Sequence, residues 1–417
     1  MLGVLAVMEA LKVRNFRLLF ISQGISVTGT SLQDVAQAWL VLQLSSDYTA
    51  LGIVVAFQYL PMLLFGAWGG EIVDRFDRRR LLFVTDAFGG LLALILAILV
   101  ISHSVQLWHI YVLALCVGFV NLINQPAGQS ILGQLVGEKL LIRAVDLTLS
   151  AFSISRVVGP ILAGLLLETV GFGVCFVVNA ASYLVSLGFL AAIRPAEMYP
   201  VSAIARQRGQ VRAGLAYVRS SPNLRITLIL VAVIGIFVFN YQFNLATLAK
   251  GTFGTGPSGF ALLFSCFGVG GGIGSLLAGR KSAPNLTRLG GIGILLGVGT
   301  FALAASPNLV VAAGLSLLAG VVAYWFVSTS ADLLQVTSHP EMRGRVMALW
   351  FIGVFGSFAI GSPFTSWVAN MAGPRASLAV SGAVALASCG IVILWARHRI
   401  RAGEPALGSE EARASLS

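Results

Sequence analysis

Charge is what this 417-residue chain has least of: Asp, Glu, Lys and Arg make up 10% of it, against 57% hydrophobic residues. Soluble domains are about a quarter charged, so a water-soluble globular protein is excluded. Cysteine and histidine are also scarce, at four each. Cys116, Cys175, Cys266 and Cys389 each stand alone in an apolar run, with no CxxC pair and no metal-ligand spacing, and read as packing residues. His103, His109, His339 and His398 fall at helix ends or in loops and cluster with nothing. Neither a P-loop nor an HExxH sequence is present. These absences argue against ATP hydrolysis, zinc chemistry and an integral-membrane enzyme, and they imply no cofactor and no metal site. The first ten residues also lack the basic segment and cleavage site of a secretory signal. With Lys12, Arg14 and Arg17 ahead of the first apolar run, the N-terminus reads as a retained anchor.

Long apolar runs are what the chain does have, with a mean hydropathy of +0.90. About 20 apolar residues at 1.5 Å rise cross the hydrocarbon core. Spans are predicted near 16–44, 49–69, 80–102, 107–130, 140–167, 171–194, 224–247, 259–279, 288–305, 307–331, 345–369 and 375–396. The runs lack strand-like alternation, and lipid leaves every backbone group to be satisfied internally, so the spans are helices and not a barrel. The expected fold is an all-α integral membrane protein of about twelve transmembrane helices. The net charge of +11 would suggest nucleic acid for a soluble protein. Topology explains it here. With the N-terminus cytoplasmic, only Lys250 and Arg375 fall in outer loops and only Arg156 lies deep in a span. The positive-inside rule then puts both termini in the cytoplasm of a multi-pass protein of the cell membrane, plasma or bacterial inner, with lipids as its surroundings and no nucleic acid.

The longest internal polar stretch, Arg194 to Arg225, divides the chain into an N-terminal half (1–194), a linker (195–222), a C-terminal half (223–397) and a cytoplasmic tail (398–417). Within the linker Val211, Leu215 and Val218 recur at helical spacing beside Arg212 and Arg219. This fits either an amphipathic helix on the inner membrane surface or a solvated basic linker. The halves repeat weakly. Leu135-Val136-Gly137-Glu138 before Arg143 is matched by Val336-Thr337-Ser338-His339 before Arg345, and the charged loop at 70–80 has a decayed counterpart at 274–281. Two pseudo-symmetric six-helix halves are the pattern of a rocking secondary transporter with its site between the halves. Gly66/Gly70, Gly268/Gly272, Gly270/Gly274 and Gly293/Gly297 have the GxxxG spacing that lets helices approach closely.

The densest charged segment is Gly70-Glu71-Ile72-Val73-Asp74-Arg75-Phe76-Asp77-Arg78-Arg79-Arg80, between the second and third spans. Its spacing and position resemble the loop motif of the major facilitator superfamily, G-x-L-A-D-R-x-G-R-[RK], with Asp77 in place of the usual Gly. The resemblance runs from Asn15 to about Arg397. The Asp-Arg-Phe-Asp-Arg-Arg-Arg run and the first span, GTSLQDVAQAWLVLQL, are similar to the enterobactin-exporter-like and drug:proton antiporter branches. Gly70, Asp74, Arg75, Arg78 and Arg79 then form a latch that breaks when the halves tilt, or else Arg75, Arg78, Arg79 and Arg80 are only topology anchors. A second motif, Arg156-Val157-Val158-Gly159-Pro160-Ile161-Leu162-Ala163-Gly164, resembles the G-P-x-x-G-G pattern of antiporters in the superfamily, with Ala163-Gly164 for Gly-Gly. Gly159, Pro160 and Gly164 would give a bent, tightly packed fifth span.

Arg156, deep in the bilayer, calls for an acidic partner, an anionic ligand or backbone carbonyls. Asp34 is the one acid deep in another span, beside Gln33 and Gln37. It reads as a proton-exchanging carboxylate or as a hydrogen-bonded structural acid. Asp86 and Asp146 sit nearer the inner ends of their spans, as interface or cap residues. Asn121, Asn124, Gln125, Asn240, Gln242 and Asn244 are polar groups at mid-span depth. With Phe57, Gln58, Tyr59, Tyr324, Trp325 and Phe326 they would suit a large amphipathic ligand, and each can equally serve as helix-packing glue. The function expected is secondary active transport: proton-coupled export of small amphipathic molecules such as drugs or siderophores. Uptake or facilitated diffusion of a small solute is the alternative. A non-transporting receptor or scaffold would need a soluble domain or long loops, which the sequence lacks. Substrate, coupling ion and oligomeric state are left open.

Overall fold

A computed structural model describes residues 8–199, 210–278 and 284–401; the side chains of Ala67, Glu71 and Asp74 are among those outside the description. The described residues are helical, with no strand among them. In chain order the helices are α1 (Arg14–Leu44), α2 (Tyr48–Arg75), α3 (Arg78–Ile101), α4 (Leu107–Ser130), α5 (Leu132–Thr169), α6 (Phe172–Ala191), α7 (Gln210–Ser220), α8 (Pro222–Phe237), α9 (Tyr241–Thr247), α10 (Pro257–Ala278), α11 (Leu286–Ala304), α12 (Leu309–Thr337), α13 (Arg343–Phe351), α14 (Phe358–Ala372) and α15 (Pro374–Arg401). Eleven stretches among the described residues are long and apolar enough to cross a membrane. The first predicted span is not one of them. At 31 residues α1 is long enough, but Ser22, Gln23, Ser26, Thr28, Thr30, Ser31, Gln33, Asp34 and Gln37 hold its hydropathy down. Such a helix needs protein neighbours that satisfy its polar groups, and α1 has them: it packs along α5 and α6.

The chain divides into two compact units. One comprises Met1–Ser46, Trp68–Ala205 and Thr255–Ser265; the other comprises Asp47–Ala67, Arg206–Gly254 and Cys266–Ser417. In the first, α1 lies along α5 and α6, and α3 along α4 and α6. Phe16, Leu19, Leu82, Leu135 and Leu190 form a dry core at the helix ends beside the charged loop. The fourth and fifth predicted spans are separated at Gly137, whose φ of +70° is a conformation that favours glycine.

In the second unit α11 lies along α15 and α12, and α8 borders α14 and α15. The seventh predicted span is not one continuous helix. It breaks between Phe237 and Tyr241, resumes as α9, and ends in a π-helical turn, Leu248–Thr252. The eleventh is likewise interrupted by a π turn, Ile352–Gly356, between α13 and α14. Within the linker the helix α7 borders α8 and α13. Its Val218 is buried and Leu215 exposed, and the Tyr217 hydroxyl accepts from the His339 N–H at 3.1 Å. The side chains of Val211 and Arg212 lie outside the described part.

Candidate functional site

The polar face of α1 is spent largely on its neighbours. Along the α1–α6 seam Ser22 meets Ser186 (hydroxyl oxygens 2.6 Å apart), Thr30 meets the Tyr183 hydroxyl (3.3 Å), and Asn179 Nδ2 donates to Gln33 Oε1 (2.7 Å). The partner numbers fall as the α1 numbers rise, so the helices run antiparallel. Gln33, a predicted site residue, is thus a buried rung of this ladder. Asp34 follows it and is half-buried, as is Gln37 one turn on. The Asp34 carboxylate also exerts its field on the Tyr183 hydroxyl, as does that of Asp86.

Along the α1–α5 seam Thr28 donates to Ser155 Oγ (3.0 Å), and Ser155 donates to the Gly24 carbonyl (3.2 Å). A Cβ at Gly159 would stand 2.8 Å from the Thr28 carbonyl and 3.0 Å from the Leu32 nitrogen. Glycine is therefore what lets α5 touch the α1 backbone just below Asp34. Gly164 faces another neighbour: its Cβ would lie 2.7 Å from Ala261 of α10, and Ser265 of α10 donates to the Val157 carbonyl at 3.4 Å. The Gly159-Pro160-x-x-x-Gly164 motif therefore packs two helices at once, one on each side of α5. Arg156, one turn before Gly159, is exposed.

On α4, Asn121 and Asn124 are half-buried and Gln125 is exposed. Asn124 Nδ2 donates to Thr85 Oγ1 and to Asp86 Oδ1, both at 2.8 Å. Asp86 is only 7% exposed. Its position in the sequence, eight residues into α3, suggests a helix-end role; burial by α4 and α6 makes it an interior acid. Asn124 and Ser186, polar residues in otherwise apolar spans, were the sequence signal for this.

Asn240 and Asn244 are in the second unit, where each is committed to neighbouring helices. Asn240 sits at the break after α8. Its amide donates to the Ile236 carbonyl (2.7 Å) and accepts from Ser362 of α14 (2.7 Å), so it replaces a hydrogen bond that the break removes. Asn244 Oδ1 accepts from Ser377 of α15 at 3.0 Å, while its Nδ2, fully buried, has no partner.

At the charged loop Asp77, the residue that departs from the motif, caps α3 by accepting from the Arg80 N–H at 2.8 Å. Arg79 donates to the carbonyls of Leu190 (3.1 Å) and Ala191 (3.0 Å) at the C-terminus of α6, where a cation complements the helix dipole. Arg14 joins it at the Ala192 carbonyl (3.1 Å). Gly70 is half-buried with open space at its Cα, and Arg75 is exposed. The side chain of Asp74 lies outside the described residues. Among the described residues no three His, Cys, Asp or Glu side chains gather as a metal site.

A chain of long apolar helices with this charged loop can be compared with known families. The family model described as "Transmembrane secretion effector" matches residues 6–413. The chain belongs to that family, within the major facilitator superfamily. Among curated relatives of this family member, the enterobactin exporter EntS of Shigella flexneri is 25% identical over 402 residues, covering 93% of this chain and 92% of the exporter. The EntS of Citrobacter koseri is 24% identical, covering 88% of each. The staphyloferrin A transporter of Staphylococcus aureus is 28% identical over 169 residues, 40% of this chain and 43% of that one. Among solved structures, a mutant of the nucleoside transporter NupG superposes with a TM-score of 0.72 at 13% identity, covering 91% of this chain and 99% of that one. A bacterial homologue of the lysosomal transporter Spinster does so at 0.71 and 14%, covering 93% and 97%. At such identities these structures speak for the fold alone. The protein is a multi-pass membrane transporter and not an enzyme.

Proposed function

We propose that this transporter exports small amphipathic molecules of the siderophore or drug class in exchange for protons. It would work by alternating access between six-helix halves at 1–194 and 223–397, with both termini cytoplasmic. The observation that carries the coupling is Asp34: an acid half-buried on a long polar-faced helix packed against apolar ones. The direction and substrate class rest on relatives named as enterobactin exporters that match almost end to end. Arg156, Gln37, Asn121 and Gln125 are the side chains proposed to meet substrate or to balance the Asp34 charge. Gly70, Asp74, Arg75, Arg78 and Arg79 are proposed as a latch that biases the access states. The test uses proteoliposomes acidified inside, offered catecholate chelators and amphipathic dyes from outside. Gradient-dependent accumulation of one of these classes is expected. Movement indifferent to a collapsed gradient would remove proton coupling from the account.

A further inference from the structure

The chemistry proposed above uses one acid, Asp34, yet the same unit buries a second whose surroundings are complete. The Asp86 carboxyl receives Asn124 Nδ2 on Oδ1 (2.8 Å) and the Ser186 hydroxyl on Oδ2 (2.6 Å). Ser186 Oγ is itself 2.6 Å from Ser22 Oγ, and the Ser22 hydroxyl also reaches the Ser186 carbonyl at 3.3 Å. Ser186 and Ser22 are no more than 1% exposed. Helices α4 and α6 thus meet the α3 carboxyl directly, and α1 reaches it through Ser186. No Lys, Arg or His side chain among the described residues pairs with Asp86.

We infer that Asp86 is a second proton-binding site, built so that both its carboxyl and its carboxylate are fully hydrogen-bonded. In the ionised state Ser22 donates to Ser186 Oγ, Ser186 donates to Oδ2, and Asn124 donates to Oδ1. When a proton arrives on Oδ2, that O–H donates to Ser186 Oγ, the Ser186 hydroxyl turns to Ser22 Oγ, and the Ser22 hydroxyl turns to the Ser186 carbonyl. Every polar group keeps a partner in both states and no heavy atom has to move. Hydroxyl hydrogens rotate freely enough for this. An ion buried without a counter-charge costs several kcal/mol. An amide at position 86 would make similar bonds without that cost, so a carboxyl here has a use in changing charge.

From α6 the Tyr183 hydroxyl, 3.3 Å from Thr30 Oγ1, lies within the field of both the Asp86 and the Asp34 carboxylates. The Tyr183 ring lies over Gly89 and Gly90 of α3, one turn beyond Asp86. From α1 comes the uncharged Ser22, through Ser186, and from α4 the uncharged Asn124. Of the cations at this end, Arg79 of α3 and Arg14 of α1 are held by the carbonyls of Leu190, Ala191 and Ala192, a turn or more beyond Ser186. The role in transport rests on the proton-coupled reading; proton uptake at Asp86 does not.

The test is infrared difference spectroscopy of the purified full chain in lipid nanodiscs, taken across the pH range in which it stays folded. The expected result is a protonated-carboxyl band that titrates in the wild type, is lost in Asp86→Asn and survives in Asp34→Asn. Ser186→Ala, which keeps the acid but removes its hydroxyl partner, should shift the frequency of that band. This second variant decides the matter if Asp86→Asn fails to fold. Absence of a titrating carboxyl band in the wild type, or a band untouched by both Asp86→Asn and Ser186→Ala, would overturn the inference. A band that behaves as expected alongside transport indifferent to the proton gradient would sink the coupling reading and leave the site standing.

Discussion

At the scale of single residues, much of the polar side-chain chemistry of this chain is spent on joining helices. Asp47, in the turn between α1 and α2, is an exposed example. Its carboxylate accepts from the Thr49 N–H at 2.7 Å and from the Asn370 amide, while Asn370 Oδ1 accepts from the Tyr48 N–H at 2.9 Å. The Thr49 N–H, helped by the Thr49 hydroxyl and Asn370, holds the Asp47 carboxyl below its ordinary range, against a small opposing effect of burial. The stabilisation this gives is complete above the ordinary carboxylate value of about 4 and is lost as pH falls through the lowered folded value. Its size is small because the group is exposed. The melting temperature of Asp47→Asn should therefore lie slightly below that of the wild type at neutral pH, and the gap should close below about pH 4. A gap that persists or widens in acid contradicts this assignment.

At the scale of elements, helix packing depends on a few positions where nothing larger than hydrogen fits. Gly159 against the α1 backbone is the sharpest case in the fifth span, whereas a Cβ at Gly188 of α6 would meet nothing within 4 Å. Gly159→Ala should cost about 1–3 kcal/mol by overpacking, and Gly188→Ala should leave stability unchanged or slightly raised. Thermal unfolding of the two variants in one detergent checks this; equal melting temperatures would mean that the α1–α5 seam can yield. The helices themselves were legible in the sequence, because apolar runs of spanning length between charged turns have few other readings. Even α1 was legible, from its flanking charges and its length, although its hydropathy falls short. The turn at Gly137 was legible because glycine there precedes a charged pair. The break at Asn240 and the two π turns were not, since hydropathy does not register the hydrogen-bond ladder of a helix. The burial of Asp86 was hidden for a related reason. Its partners Asn124 and Ser186 are 38 and 100 residues away, and only the packing of α3 against α4 and α6 brings them together.

At the scale of the whole molecule, the sparse charge is confined to a few places, and the account assigns coupling to one of them. A half-buried acid on the polar face of α1 can hold a proton or balance a substrate, and exchange of the two drives export against a gradient. Neutralising it with the shape kept should leave a folded protein that no longer couples. Inverted membrane vesicles carrying an acid interior, with a pH-sensitive dye inside and a substrate identified in the proteoliposome screen outside, report both fluxes at once. The account predicts that substrate addition dissipates the proton gradient as substrate accumulates, and that Asp34→Asn, present at wild-type level in the membrane, does neither. Substrate accumulation that proceeds in Asp34→Asn as in the wild type, with the same loss of gradient, would contradict the central claim.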